Sequence, residues 1–327
     1  MSPSTPPRRR VLVLGATGTI GRATVRALLD RGHDVVCLVR PGWSGTPPGG
    51  GEAELRSCDV GEAGSVSRDG FQGEGFDAVV SCMASRTGAP EDAWAVDHDA
   101  HLTVLKAAQE SGVDQFVLLS ALCVQKPRLA FQHAKLAFEE ALRNSGLDWS
   151  IVRPTAFFKS LSGQVDRVRS GKPFLVFGDG TLTACKPIGA GDLAGFLAEC
   201  LHDPARRNRI LPVGGPGPAL TAREQGELLF EAAGMKPRFR QVPVGLLDAV
   251  VGALGLLGRV IPPLAAKAEL ARIGRYYATE SMLVWDPETR RYDPDATPEY
   301  GVETLGDYYR RMLRGEILDE RGDHAVF

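Results

Sequence analysis

Three glycines near the start of the chain, Gly15, Gly18 and Gly21, form a G-x-x-G-x-x-G pattern. The apolar run 11–14 precedes them, and residues from Thr19 onward have helical spacing. A glycine-rich turn between a strand and a helix lets the backbone approach a phosphate, and the helix N-terminus offers free N–H groups and partial positive charge. The segment therefore predicts a dinucleotide pyrophosphate site; the alternative is a glycine-rich turn that binds nothing.

The residue that ends the second predicted strand indicates which dinucleotide binds. Sites for NAD usually carry Asp or Glu about 20 residues beyond the glycines, bonded to the ribose 2′-hydroxyl. Here Arg40 stands 19 residues after Gly21, and Arg22 is a second cation close by. Because a guanidinium binds a phosphate bidentately, the sequence favours NADPH over NADH. In the alternative reading, Arg40 is a solvated strand end.

A predicted helix at 129–142 carries Lys135 four residues after Phe131. Lys135 shares a helix face with Phe131 and Phe138, which favours a place in a site over a solvated surface position. A cation there can hold ribose hydroxyls, stabilise developing negative charge or feed a proton. Ser120 ends a predicted strand, where ligands meet the carboxyl ends of parallel strands, and we expect it to hold the cofactor or a donor water.

Short apolar runs alternate with helical segments along much of the chain. Predicted strands lie at 11–14, 34–40, 54–60, 76–83, 116–120, 149–154 and 209–213, with a long helix at 94–111. Alternating strands and helices indicate βαβ units, whose crossovers are nearly always right-handed. We therefore predict an α/β fold: a doubly wound parallel Rossmann sheet with a smaller, mainly helical C-terminal substrate lobe.

The predicted domain boundaries follow this alternation of strands and helices. They are 1–9 for a disordered tail, 10–155 for the NADP-binding domain with a return at 185–215, and 156–184 together with 216–327 for the lobe. Asp59 and Val60 end the third predicted strand and are expected near the adenine. Thr221 and Glu224 predict a capping box, and Asp192 stands at a good N-cap position.

Composition excludes several classes of protein. The chain has 327 residues, 43% of them hydrophobic, and a net charge of −2, so nothing indicates a nucleic-acid partner. The N-terminus lacks the apolar stretch of a secretory signal, and no apolar run reaches the ~18 residues of a membrane span. Six unclustered cysteines indicate free buried thiols in a reducing compartment, without a metal or cluster. A cytoplasmic protein is expected.

Longer strings carry a family resemblance. The glycine spacing, strand order and Lys135 helix resemble the atypical (NmrA-like) short-chain dehydrogenase/reductases. Within that superfamily, four strings are similar to the NADPH-dependent divinyl chlorophyllide 8-vinyl reductases: LLSALCVQKP (118–127), FQHAKLAFEEAL (131–142), SIVRPTAFFKSLSGQV (150–165) and GKPFLVFGDGTLTACKPIGAGDLA (171–194). The resemblance implies NADPH-dependent reduction of the 8-vinyl group of divinyl chlorophyllide, or protochlorophyllide, to ethyl in chlorophyll or bacteriochlorophyll synthesis.

The resemblance also implies roles for single residues. Lys135 would hold the nicotinamide ribose, and backbone at Pro154 and Thr155 would meet the carboxamide. Related alcohol dehydrogenases have a Tyr at the position of Phe131 to protonate an oxygen, but vinyl reduction makes no alkoxide, so Phe131 suits both the chemistry and a flat aromatic substrate. The predicted cofactor site comprises Gly15, Thr17, Gly18, Thr19, Ile20, Gly21, Arg22, Arg40, Asp59, Val60, Lys135, Pro154 and Thr155.

The substrate side of the site is less defined. Phe157 and Phe158 are predicted to line the tetrapyrrole pocket, although buried aromatics are more often core. Lys159 is the predicted substrate cation, while Lys172 and Lys186 stay open as further partners for the propionate.

Two segments leave alternatives open. His98 and His101, flanked by Asp97 and Asp99, are interpreted as a surface pair rather than a metal site. The apolar segment 244–267 is either a lobe helix that covers the substrate cleft or a peripheral membrane contact.

Two other functions compete with vinyl reduction. One is a reductase of phenylpropanoids or quinones, and the other is a redox-sensing regulator that binds NADP(H) without turnover. The missing Tyr favours the regulator on spacing alone, whereas the long strings and Lys135 favour the enzyme. The proton donor and the oligomeric state stay open.

Overall fold

The computed structural model describes residues 7–258 and 262–317. Its strands are β1 (Arg10–Leu14), β2 (Asp34–Val39), β3 (Glu54–Ser57), β4 (Ala78–Ser81), β5 (Gln115–Leu119), β6 (Asp148–Pro154), β7 (Phe174–Phe177), β8 (Ala184–Cys185), β9 (Arg209–Val213), β10 (Leu220–Thr221), β11 (Phe239–Val242), β12 (Val284–Asp286) and β13 (Arg291–Asp293). Its α-helices are α1 (Thr19–Asp30), α2 (Ala63–Ser65), α3 (Pro90–Ala93), α4 (His101–Glu110), α5 (Ala130–Arg143), α6 (Val165–Arg169), α7 (Ala190–Glu199), α8 (Ala222–Ala232), α9 (Val244–Leu257), α10 (Pro262–Thr279) and α11 (Leu305–Leu313). A π-helical stretch, Trp94–Ala100, joins α3 to α4.

Seven parallel strands form the central sheet in the order β3-β2-β1-β4-β5-β6-β9. The chain runs outward from β1 to β3 and then crosses back to β4. This reversal places a crevice outside the carboxyl ends of β1 and β4, where ligands bind in open parallel sheets. The predicted doubly wound sheet is confirmed, and β9 lies beside β6 at its edge.

The continuous apolar run of β1 reflects burial on both faces of the sheet. Val11 and Val13 point into one core, which α1 and α7 cover. Leu12 and Leu14 point into the opposite core, which contains side chains of α4 and α5. A strand buried on both faces needs apolar residues at every position, so alternation is absent from its sequence.

The smaller C-terminal lobe is mainly helical and has a core of its own. Short strands pair as β7 with β11, β8 with β10, and β12 with β13. The lobe core includes Phe158, Phe174, Phe230 and Tyr309. The capping box at Thr221 is confirmed: its hydroxyl accepts from the Glu224 N–H, and Glu224 accepts from the Thr221 N–H at 2.7 Å.

The predicted N-cap at Asp192 is wrong. Helix α7 begins one turn of chain earlier, after Gly189, because Gly189 has the extended backbone of an N-cap. The Asp192 carboxylate instead accepts hydrogen bonds from the backbone N–H groups of Val302 and Glu303, each at 3.0 Å. It therefore ties the approach to α11 onto α7.

A charge cluster around the buried Glu280 attaches the lobe to the loop after β5. Lys126 donates to Glu280 at 2.6 Å and stands 4.1 Å from the centre of the Trp285 ring. Arg128 and the Tyr292 hydroxyl bind the same carboxylate at 2.9 and 2.5 Å. Burial by itself would raise the pKa of Glu280, but these three partners together lower it.

The segment 244–267 divides between two antiparallel-packed helices. Helix α10 contacts the sheet side through buried Ile273 and Tyr276. Helix α9 lies outside it and buries none of its residues. Residues 259–261 of the segment lie outside the described residues. Among the helices in 7–258 and 262–317, none has both the length and the apolar character to cross a bilayer.

The structure also bears on two further predictions, which concern the cysteines and the N-terminal tail. All six cysteines are free thiols, as expected. Residues 1–6 of the predicted tail lie outside the described residues, but Arg9 is held in place: its N–H donates to His33 at 3.2 Å and its guanidinium to Gln115 at 3.1 Å. Residue 9 of the predicted tail is therefore bound to the sheet domain.

Removing the lobe's charged anchor should destabilise the fold. In the Lys126→Met variant, Glu280 loses one charged hydrogen bond and keeps Arg128 and Tyr292, so we expect a loss of about 1.5–3 kcal/mol in the free energy of unfolding. Urea denaturation measures it. The matched control is Lys106→Met, whose exposed ammonium lies 3.9 Å from Glu110 and should contribute about 0.5 kcal/mol or less. Equal losses in both variants would contradict the anchor.

Candidate functional site

The glycine turn after β1 is packed too tightly for side chains at two of its three glycines. Gly15 has φ of +68°, and a Cβ there would lie 2.6 Å from the backbone of Cys82, at the end of β4. A Cβ at Gly21 would lie 2.0 Å from the Gly15 carbonyl oxygen. These glycines therefore let α1 start directly against the strand ends.

Gly18 differs from both neighbours in the pattern. Its φ of −76° suits any residue, and a Cβ would only reach ordinary contact with Gly15 O at 3.5 Å. The protein's own packing thus does not require glycine here. Gly18 is also the N-cap of α1 without a side-chain cap, so first-turn N–H groups face outward. The residues present fit a dinucleotide pyrophosphate, which needs this close backbone approach.

Cations surround this turn. The Arg22 guanidinium donates to Thr17 O at 3.1 Å and to Thr46 O at 2.7 Å, which places it between the glycine turn and the loop after β2. Arg40 is exposed at the end of β2. Lys159, predicted to meet the substrate, instead reaches from the lobe side to Thr19 Oγ1 at 2.8 Å. This position is beside the N-terminus of α1.

At the edge of the sheet, Asp59 is exposed and accepts from the Gly61 N–H at 3.0 Å, while Val60 packs against the core. Both follow β3 in space as predicted from the sequence. Their contact with an adenine stays a prediction.

Lys135 is held by a buried carboxylate. Its ammonium lies 2.9 Å from Asp97 Oδ1, and its side chain is 11% exposed. Asp97 also accepts from the Ser85 N–H at 3.2 Å and the Ser85 hydroxyl at 2.6 Å. Burial acts to raise the pKa of Asp97, but Lys135 and Ser85 outweigh it and lower that pKa. Lys135 is therefore a fixed cation with N–H groups left for a ligand.

The interpretation of His98 and His101 as a surface pair is wrong. His101 is 1% exposed; its Nε2 lies 2.8 Å from Ser81 Oγ and its Nδ1 2.8 Å from Val96 O. Burial lowers the pKa of His101 to about 4, so the ring is neutral at pH 7. Asp97, Ala100 and His101 all lie on the buried face of this helix. His98 pairs with Asp99 on the outside at 2.7 Å, and the described residues contain no metal-binding cluster.

Ser120 is engaged by the helix that carries Lys135. Its hydroxyl donates to buried Glu139 at 2.5 Å, and Arg153 at the end of β6 donates to the same carboxylate at 3.2 Å. Because Glu139 and Lys135 are one turn apart on α5, these bonds fix the helix against β5 and β6. This geometry supports a positioning role for Ser120 rather than the predicted catalytic one.

After β6, two predicted residues, Thr155 and Phe158, have side chains engaged within the protein. The Thr155 hydroxyl donates to Lys186 O, and the Lys186 ammonium pairs with Glu299 at 2.7 Å. Phe158 is 2% exposed in the lobe core, where it has no surface for a pigment. Phe157 is half-buried against the sheet core. Pro154 is buried at the carboxyl end of β6, where it was expected.

Phe131 faces a cluster that closes the cleft from the lobe side. The cluster includes the residues that follow β5 and two tyrosines of α10. Tyr276 is 4% exposed and donates to the carbonyls of Cys123 and Lys126 at 2.9 and 3.1 Å. The Tyr277 hydroxyl lies 3.8 Å from Cys123 Sγ. Helix α10 therefore forms the roof over Phe131.

Comparison with known proteins agrees with this geometry. Residues 15–204 match a family model described as NAD(P)H-binding. A rice (Oryza sativa subsp. indica) protein named divinyl chlorophyllide a 8-vinyl-reductase, chloroplastic, is 48% identical, with 98% of this chain and 83% of that protein covered. Its namesake from Arabidopsis thaliana is 45% identical over 95% of this chain and 79% of its own.

The chain belongs to the divinyl chlorophyllide a 8-vinyl-reductase family. A more distant relative, the photosystem II assembly factor Ycf39 of Synechocystis, is 29% identical over 73% of this chain and 72% of its own. The match to the 8-vinyl reductases thus includes the lobe as well as the sheet. The match to Ycf39 leaves about a quarter of this chain uncovered.

Solved structures share the fold of this chain. WbmG from Bordetella bronchiseptica, in complex with NAD, has a TM-score of 0.69 at 16% identity, covering 100% of this chain and 99% of that chain. The quinone oxidoreductase QOR2 of Escherichia coli, complexed with NADPH, has a TM-score of 0.65 at 15% identity, covering 93% and 99%. At these identities the likeness concerns the fold alone.

Several site residues were missed in the sequence. Asp97 and Ser85 hold Lys135, Glu139 holds Ser120, and Tyr277 lies in the roof. The four-residue spacing of Asp97 and His101 places them on one helix face, but two ionisable residues there give no signal of burial. Tyr277 gave no signal either, because its approach to Cys123 depends on how the lobe packs.

Proposed function

We propose that this protein reduces the 8-vinyl group of divinyl chlorophyllide, or of the protochlorophyllide, to an ethyl group with NADPH. One observation carries the proposal: Lys135 is fixed through Asp97 to Ser85 in the loop after β4, the strand next to β1, while the neighbouring Phe131 offers no proton. A reductase of carbonyls needs an O–H donor for its alkoxide. Reduction of a vinyl group makes no alkoxide, so an apolar residue is compatible there. The names of the relatives support the same pigment class.

The chain's own residues bind and orient the reactants in this proposal. NADPH supplies the hydride when bound. The α1 N-terminus and Lys159 meet the pyrophosphate, Arg40 and Arg22 meet the 2′-phosphate, and Lys135 holds the ribose. Phe131 and Phe157, both half-buried, offer apolar surface to the macrocycle. Lys159 thereby moves from the predicted substrate group to the cofactor group, because of its contact with Thr19.

A pigment assay tests the reaction. Purified protein, NADPH and divinyl chlorophyllide are mixed without oxygen, and the Soret band is followed; we expect a blue shift and a product with the column retention of the monovinyl pigment. The Lys135→Met variant should lose most of this activity, about 10²-fold or more. NADPH that binds but is not consumed would overturn the proposal in favour of a redox-sensing regulator. Consumption with quinones alone would favour a quinone reductase.

Binding measurements separate the two phosphate groups of the cofactor. Arg40→Ala should raise the Kd for NADPH and leave the Kd for NADH unchanged, because only NADPH has the 2′-phosphate. Lys159→Met should raise both, since both cofactors have the pyrophosphate. We expect about tenfold effects, corresponding to one charged hydrogen bond. The fluorescence of bound NADPH and NADH gives both constants. The reverse pattern, or equal effects in both variants, would contradict the assignment.

We propose that the membrane contact predicted for 244–267 is made by one face of α9. Leu246, Val250 and Leu257 are 56, 39 and 48% exposed and lie on the same side of the helix. The charge within the helix, Asp248, is paired with Arg275 of α10. The proposed occupant of this face is a bilayer surface, from which the apolar pigment would be taken up.

Charge complementarity supports a lipid occupant. Exposed Lys236, Arg238 and Arg240 precede α9 and match anionic headgroups. Flotation with vesicles of phosphatidylglycerol should recover the wild-type protein, and phosphatidylcholine vesicles should recover less. Leu246→Gln with Leu257→Gln should abolish flotation, whereas Leu182→Gln, at a residue 50% exposed elsewhere in the lobe, should not. Unchanged flotation of the double variant, or a dimer in place of vesicle binding, would overturn this contact.

A further inference from the structure

The proposed reaction needs a proton for carbon, and the residues first considered do not supply it. Phe131 has no acidic proton. The Ser120 hydroxyl donates to Glu139, and Lys135 is held by Asp97. The ammonium is also more useful as a cation beside the cofactor than as an acid, because deprotonation would leave the buried Asp97 carboxylate without its counter-charge. The donor must therefore come from another element.

Helix α10 brings one hydroxyl to the carboxyl ends of the central strands. Tyr277 lies in a cluster with Ala121 and Phe131, next to the ends of β5 and to the Lys135 helix, and with Ala156, next to the end of β6. These strand ends are the side of the crevice opposite the glycine turn. Tyr277 is half-buried, in contrast to the adjacent Tyr276, which is 4% exposed. Tyr276 thus closes the roof, whereas part of the Tyr277 side chain stays exposed to the cleft side of α10.

The hydrogen bonds also distinguish the two tyrosines. Tyr276 donates to backbone carbonyls at 2.9 and 3.1 Å, so its hydroxyl has a structural role. The neighbour of the Tyr277 hydroxyl is Cys123 Sγ at 3.8 Å, a long and weak contact in which either atom can be the donor. A proton held this loosely is available to a substrate atom in the cleft. Burial and the nearby thiol of Cys123 raise the pKa of Tyr277 well above its ordinary value, so the phenol keeps its proton until a strongly basic atom approaches it.

We propose that Tyr277 of the lobe is the proton donor of the vinyl reduction, in place of the tyrosine that the Lys135 helix lacks. This assignment rests on the proposed function. The hydride and its electron pair add to the terminal vinyl carbon, and the carbon–carbon double bond becomes a single bond. The negative charge spreads from the adjacent carbon into the macrocycle. The Tyr277 O–H bond breaks, its proton forms the new C–H bond on that adjacent carbon, and solvent reprotonates the phenolate.

The placement explains why the donor is on the lobe. A flat pigment in the cleft lies between the cofactor on the sheet side and α10 on the other side. Hydride and proton then arrive from opposite sides of one double bond without competing for space. Phe131, in the same cluster as Tyr277, only has to leave room for the ring.

The test compares two phenols on neighbouring residues. Tyr277→Phe should lower kcat for pigment reduction by about 10²–10⁴-fold, the usual contribution of a general acid. Its Kd for NADPH, from cofactor fluorescence, and its Kd for the pigment, from the Soret shift on binding, should stay unchanged. Tyr276→Phe should lower the midpoint of thermal unfolding and keep kcat near the wild-type value. In deuterated water, the solvent isotope effect on kcat should rise in Tyr277→Phe, because protonation then limits turnover.

Each outcome has a separate meaning. If the wild-type protein does not reduce the pigment, the proposed function fails and this assignment with it. If the wild-type protein is active and Tyr277→Phe keeps its kcat, only the assignment is overturned. If Tyr277→Phe loses pigment binding together with kcat, Tyr277 is a substrate contact and the assignment is likewise overturned. Loss of kcat with both Kd values intact supports the donor role.

Discussion

Two buried ion pairs on one helix hold the site together. Lys135 of α5 pairs with Asp97 at 2.9 Å on one side of the helix, and Glu139, one turn later, pairs with Arg153 and accepts from Ser120 on the sheet side. Each charge is removed from water, so each depends on its partner, and loss of one partner leaves a costly lone charge. The helix therefore cannot turn or slide without breaking both pairs. The distance between Lys135 and the strand ends is set in this way.

The lobe packs next to this helix as a second layer and has its own anchors. The Glu280 cluster attaches α10 to the loop after β5, and the Tyr276 bonds attach it again one turn earlier. The string 118–127, one of those that resemble the reductase family, therefore contains part of a strand, a residue of the site and the anchor of the lobe. This explains why Lys126, within that string, binds the lobe and not a ligand. The fold divides the work between a sheet that binds a nucleotide and a roof that faces the other reactant.

The sequence was most informative where local pattern decides structure. Apolar runs predicted the strands of the central sheet, and the turn chemistry of Gly15 and Gly21 matches their close backbone contacts. It was misleading where tertiary packing decides. His101 looked like a surface residue because charges flank it, but it lies on the buried face of the helix with Asp97 and Ala100. Phe158 is apolar in either role, and only the packing of the lobe core separates core from pocket. Lys159 reaches Thr19 across 140 residues of chain, which no local pattern shows.

The six thiols have a consequence for the chemistry of the whole molecule. Burial raises the pKa of Cys37 and Cys185 to about 12 and that of Cys82 and Cys200 to about 11. The thiolate is the form that reacts with peroxides and disulfides, so burial keeps these four sulfurs in the less reactive thiol form while the chain stays folded. The supply of reduced cofactor, and not the oxidation state of its own cysteines, would then link this protein to the redox state of the cell.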